Sequence, residues 1–151
     1  MIWISSTELR DLRALLRHRY LWVRLRTRVQ IALPAIALGY GVRRDHALWN
    51  RDGQAMLAAL PLPPHAAHRR DELRALYQQL DEQVDQLDDR VKYAAAQRPR
   101  ATELMPHPGV GSVTALVTEV FLGDPSRFAD GKAPAISGAV QPSIIGVPYG
   151  E

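Results

Sequence analysis

The sequence predicts an all-α fold: a long antiparallel helical hairpin or coiled coil, then a small helix-hairpin-helix unit and a loose C-terminal tail. Three observations predict it. Leu73, Tyr77, Leu80, Val84, Leu87 and Val91 recur at spacings of 4, 3, 4, 3 and 4, a heptad seam on one helix. Leu9, Leu12, Leu16, Tyr20 and Val23 form a second helical stripe in the N-terminal third. Between two further helical patterns lies Pro108-Gly109-Val110-Gly111, whose glycines permit a tight turn.

The elements follow in order. Ser5, Ser6 and Thr7 are N-cap candidates, and Glu8 and Asp11 place negative charge in the first turn, where it complements the helix dipole. The first helix is therefore expected to start there and to end or kink at Pro34 and the segment 39–41. Residues 47–60 hold one or two short helices around Gly53, and Pro61, Pro63 and Pro64 make a firm break. The heptad seam then predicts one helix over about 64–97, packing against the first helix or against its own equivalent in a second subunit. Pro99 interrupts, 101–105 form a short helix, and 113–122 restart an apolar helical pattern. Asp124 before Pro125 reads as the cap of a further short helix through Phe128. Beyond Lys132 the prolines and glycines at Pro134, Gly138, Pro142, Gly146 and Pro148 do not sustain a helix. The resulting division is 1–100, 101–132 and a tail, 133–151.

Length and composition bound the function. The chain has 151 residues, 46% of them apolar and 23% charged, which suits one modest globular unit or two small ones. It has no cysteine, which excludes disulfides, thiolate zinc sites and thiol nucleophiles. The longest apolar run, 31–40, contains Pro34 and Gly39 and is far short of the roughly 20 residues of a membrane span. The N-terminus lacks the pattern of a secretory signal. A cytoplasmic protein with no membrane partner is expected.

Charge is distributed unevenly. Residues 1–51 carry ten arginines against Glu8, Asp11 and Asp45, a net +7, whereas residues 71–92 carry seven acids against Arg74, Arg90 and Lys92, a net −4. The guanidinium fork suits phosphate, so Arg17, Arg24, Arg26 and Arg28 are candidate nucleic-acid contacts. The alternative is that the basic helix neutralises the acidic one.

The turn adds a more specific signal. Residues 104–117 read as a helix-hairpin-helix element. Gly109 and Gly111 leave main-chain N–H groups at Ser112 and Thr114 open to an anion, Val110 turns inward, and Ala115 allows close helix packing. A DNA phosphate fits such a site, contacting backbone without reading bases. A plain turn between two core helices is the alternative. Candidate binding residues are thus Gly109, Val110, Gly111, Ser112 and Thr114, with the four arginines.

Residues 10–28, ending in Arg26-Thr27-Arg28, together with Pro108-Gly109-Val110-Gly111, Thr114-Ala115, Glu119, Gly123-Asp124 and Arg127-Phe128, resemble the DEDD-type insertion-sequence transposases related to the pilin-gene-inverting recombinase. The resemblance spans about residues 3–132. It implies a plan in which a RuvC-like nuclease domain with four metal-binding acids precedes a coiled-coil region and a C-terminal transposase domain with a nucleophilic serine. It also implies DNA as partner, a structured guide RNA, and a homo-oligomer formed through the heptad helix. No position in this chain matches the four acids or the serine, and Ser137-Gly138 lies upstream of Pro142, out of order for that motif. No catalytic residue is carried over, and no cofactor is expected in this chain, the divalent metal belonging to the family's nuclease domain. The resulting expectation is a truncated transposase of DNA transposition and recombination that binds nucleic acid without cutting it alone. The alternative is a free-standing helical interaction module.

Other candidates are weaker. His65 and His68 share a helix face without a third ligand and are expected at the surface. Asp85, Asp88 and Asp89 suit a solvated face or partners for arginine. No serine has the histidine and acid of a hydrolase triad at a recognisable spacing. Trp3, Trp22 and Trp49 are expected to pack rather than stack on bases.

Overall fold

The computed structural model of the chain describes residues 6–43 and 48–123. These residues are all-α, with no strand among them. Five α-helices are formed: α1 Thr7–Gly39, α2 Arg51–Ala59, α3 Pro64–Ala96, α4 Pro99–Leu104 and α5 Ser112–Val117, the last continuing directly into a π-helical turn, Thr118–Leu122. The expected cap at Asp124, the Arg127-Phe128 pair and the tail 133–151 lie outside the described residues. Among those described, no helix is long and apolar enough to cross a membrane.

Local chemistry accounts for the boundaries. Ser6 is the side chain that caps α1, its Oγ accepting from the Leu9 N–H at 3.3 Å. The helix does not end at Pro34. Leu33 and Ala37 on either side are almost fully buried, and their packing offsets the roughly 3 kcal/mol that an interior proline costs. The stop comes at Gly41, whose φ of 80° lies in the left-handed region. There the Val42 N–H reaches the Ala37 carbonyl and the Gly41 N–H the Leu38 carbonyl, a Schellman motif. Helix α2 starts at Asn50, whose side chain accepts from the Gly53 N–H at 2.8 Å.

Packing groups the residues into two compact units, one drawn from Met1–Leu21 and Val84–Glu151, the other from Trp22–Gln83. In the first, Leu16 of α1 and Val91 and Ala95 of α3 share a core with Ala101, Ala115, Leu116, Val117 and Val120. In the second, Val29 and Leu33 pack against Leu80 with Trp22, Trp49, Leu73 and Tyr77 at the margin. A neighbouring cluster of Ala37, Leu48 and Leu57 holds α2. Within each unit the seam of α3 is thus occupied by α1 residues of the same chain.

Ion pairs accompany these contacts. In the first unit Arg19 binds Asp88; in the second Arg26 Nη1 lies 2.8 Å from Asp81. Arg70 is buried and donates to the Leu60 carbonyl at 2.8 Å, tying the end of α2 to α3. Its Nε also holds Asp71, and that hydrogen bond sets the Asp71 carboxyl below its ordinary range despite some opposing desolvation.

Candidate nucleic-acid interface

The turn between α4 and α5 is built by a proline and one glycine. The Val110 N–H bonds the His107 carbonyl at 3.1 Å across Pro108 and Gly109, and Gly109 has φ 79°. Proline second and a left-handed glycine third is the composition of a type II turn. Gly111 plays a different part from the one its sequence position suggests. Its φ of −85° and ψ of 176° are open to any residue, and it is the N-cap of α5. Only Gly109 needs glycine for its backbone.

Both glycines are exposed, and a Cβ built on either meets nothing within 4 Å. Val110 is half-buried against the first unit's core, and Ala115 is fully buried. No side chain caps α5. The Gly111 carbonyl accepts the Ala115 N–H, so the N–H groups of Ser112, Val113 and Thr114 precede the first intrahelical donor and have no acceptor within the helix. Ser112 turns its hydroxyl to Met105 Sδ, at 3.8 Å. Thr114 gives its carbonyl to the Thr118 hydroxyl at 2.8 Å.

The start of α4 is held by Glu119, to which no such role attaches in the sequence pattern. Glu119 Oε1 accepts from Arg98 Nε at 2.6 Å and its Oε2 accepts the Ala101 N–H at 3.0 Å. Arg98 Nη1 also donates to Glu8 at 2.7 Å. A carboxylate in the π-helical turn therefore caps the start of α4, which has no N-cap side chain of its own. The contact joins residues 18 apart, a separation that no local motif announces.

The arginines divide by task. Arg13 donates through Nε and Nη2 to the Val120 carbonyl, at 3.1 and 3.0 Å. Arg13 and Arg17 both lie over the Phe121 ring, 5.7 and 5.8 Å from its centroid, distances at which a cation is attracted to the ring face. Arg17 remains exposed. In the second unit Arg24 and Arg28 are exposed, whereas Arg26 is engaged by Asp81. The five candidate residues of the turn and the start of α5 thus belong to the same unit as Arg17, while Arg24, Arg26 and Arg28 belong to the other.

No protein-family model, curated protein or solved structure matches the chain. The transposase resemblance consequently rests on the residues that carry it.

Of the remaining candidates, Trp22 and Trp49 pack, and Trp3 lies outside the described residues. Trp22 and Trp49 border the second unit's core, and Trp49 meets Tyr77 with ring centroids 4.5 Å apart. His68 lies 3.3 Å from Glu72 on an exposed face. Among the described residues no three His, Asp or Glu side chains converge.

Proposed function

We propose that the chain is the nucleic-acid-holding part of a DEDD-type transposase acting in DNA transposition and recombination, with no residue of this sequence assigned to strand cutting. In this reading α1 and α3 form an antiparallel hairpin that carries a helix-hairpin-helix element. DNA is the primary partner, and a guide RNA is a second ligand of the same chemistry. The observation that carries the reading is the turn 108–112, exposed at Pro108, Gly109 and Gly111, where no side chain caps the start of α5 and its first amides are left without intrahelical acceptors. The exposed guanidinium of Arg17 in the same unit supports it.

A second reading, a helical interaction module without nucleic acid, is favoured by the Arg19–Asp88 and Arg26–Asp81 pairs. These show α1 arginines spent on α3 acids.

The two readings separate in one titration. Fluorescence anisotropy with a labelled DNA duplex, repeated across salt concentrations, is expected to give affinity that falls steeply with salt, by about 0.9 in logarithmic slope per phosphate neutralised. Gly111→Asp supplies the sharper arm. Its carboxylate is a good N-cap and has open space, so the fold is retained, yet it occupies the amides and repels phosphate. Affinity is expected to drop about tenfold, the worth of one charge-assisted hydrogen bond. Binding that is absent, indifferent to salt, or unchanged in Gly111→Asp favours the interaction module.

A further inference from the structure

In the second unit α1 packs by one face. At about 100° of helix per residue, the buried Val29, Leu33 and Ala37 share that face, and the exposed Arg24, Arg28, Ile31, Ala35 and Leu38 fall within an arc of about 80° on the opposite one. Ile31 is 67% and Leu38 59% exposed. The five outer residues recur at spacings of 4, 3, 4 and 3, a heptad stripe distinct from the seam of α3. Residues 22–39 carry Arg24, Arg26 and Arg28 and no acid, and Arg26 is engaged by Asp81. The outer stripe is therefore cationic at its first two positions and apolar at the next three.

That order decides among occupants. A helix lying in a lipid interface separates its charged face from its apolar one, whereas here arginine and aliphatic side chains follow one another along a single stripe. A sugar-phosphate strand pairs with the guanidiniums but leaves Ile31 and Leu38 in water, because such interfaces are polar and strongly charged. The same stretch of a second α1 supplies no acid to either arginine. A helix whose own stripe carries two acids followed by aliphatic residues satisfies all five positions. Its carboxylates meet Arg24 and Arg28 and fix the register, while its apolar side chains cover Ile31, Ala35 and Leu38. We propose that this face of α1 docks an acidic amphipathic helix of another protein. The docking face lies in the second unit and the candidate phosphate-binding turn in the first, so the proposal is independent of the nucleic-acid reading.

Fluorescence anisotropy tests this, with the full chain titrated into labelled synthetic helices of three heptads. The acidic peptide has glutamate at two successive core positions and leucine at the others; the basic peptide has lysine in place of the glutamates. Saturable binding of the acidic peptide below about 100 µM chain, at least about tenfold tighter than the basic one, is expected, because each arginine then meets a carboxylate rather than an ammonium. Arg28→Glu is expected to lose about tenfold for the acidic peptide and to prefer the basic one, a reversal that damage to the fold cannot produce. Ile31→Asp, at an exposed position, is expected to weaken both peptides about tenfold. The DNA titration is expected to be unchanged in Ile31→Asp, and peptide binding unchanged in Gly111→Asp, which separates this proposal from the nucleic-acid reading. Absent binding, equal affinity for the two peptides, no reversal in Arg28→Glu, or an indifferent Ile31→Asp overturns the proposal. So does an Ile31→Asp variant that loses DNA affinity, self-association in sedimentation velocity, or binding to phosphatidylserine vesicles, outcomes that assign the face to nucleic acid, a second copy or lipid respectively.

Discussion

Replacing Glu119 tests the logic of the first unit most directly. In Glu119→Ala two things are lost. The Ala101 N–H, on a residue with no exposed surface, loses its acceptor, at about 1–3 kcal/mol for a buried unsatisfied donor. The charge-assisted bond from Arg98 goes as well, worth about 1.5–3 kcal/mol. Glu8 still holds Arg98 Nη1, so the guanidinium keeps one partner. That places the total near the lower end of the roughly 3–5 kcal/mol expected for breaking a buried ion pair, at about 3 kcal/mol. Glu119→Gln retains an oxygen for Ala101 and forfeits only the charge, so about half of that loss is expected. Glu8 is itself mostly exposed, and Glu8→Ala should cost less than about 1 kcal/mol. Native-state hydrogen exchange reads the effect locally: protection of the Ala115, Leu116 and Val117 amides should fall by about a hundredfold in Glu119→Ala, following about 1.4 kcal/mol per factor of ten. Exchange within threefold of wild type in both Glu119 variants would refute the assigned role.

Three further outcomes are expected. Gly109→Ala should lower the urea midpoint by the equivalent of about 1–2 kcal/mol because of its left-handed backbone, whereas Gly111→Ala, at an ordinary backbone conformation in open space, should cost under about 1 kcal/mol. Phe121→Leu removes the ring beneath Arg13 and Arg17 and should destabilise by about 1–2 kcal/mol, the worth of two cation–π contacts, measured by the same denaturation. Asp71 has a folded-state pKa below its unfolded value, chiefly through the Arg70 hydrogen bond. Its contribution is therefore complete above the unfolded value of about 3.9 and disappears as pH falls through the lower folded value. Thermal midpoints of wild type and Asp71→Asn, compared between pH 6 and pH 2, should converge at the acid end.

Much of the helix pattern is legible in the sequence because it is periodic. The heptad positions Leu80, Val84, Leu87 and Val91 are all buried, and α3 runs Pro64–Ala96 against an expectation of about 64–97. The start of α1 and the turn at Gly109 are legible for a similar reason, each being a local motif whose residues are adjacent in the chain. What escapes is non-local or balanced. Whether Pro34 breaks α1 depends on how deeply Leu33 and Ala37 are buried, which periodicity does not measure. Charge asymmetry foreshadows pairing between the basic and acidic segments, yet it does not say that Arg19 and Arg26 find aspartates while Arg17 rests on a phenylalanine. The cap of α4 by Glu119 depends on tertiary approach alone. Gly111 shows the opposite error: a glycine read as conformationally necessary proves backbone-neutral.

The π-helical turn at Thr118–Leu122 carries one surplus residue relative to an α-turn. The wide turn takes up that residue locally, and on it Phe121 lies beneath the guanidiniums of Arg13 and Arg17 while the Val120 carbonyl accepts from Arg13. Deleting one residue there would restore the regular ladder and keep the following backbone nearly in phase, but it would displace the turn's own side chains and so release α1 from this end of the unit.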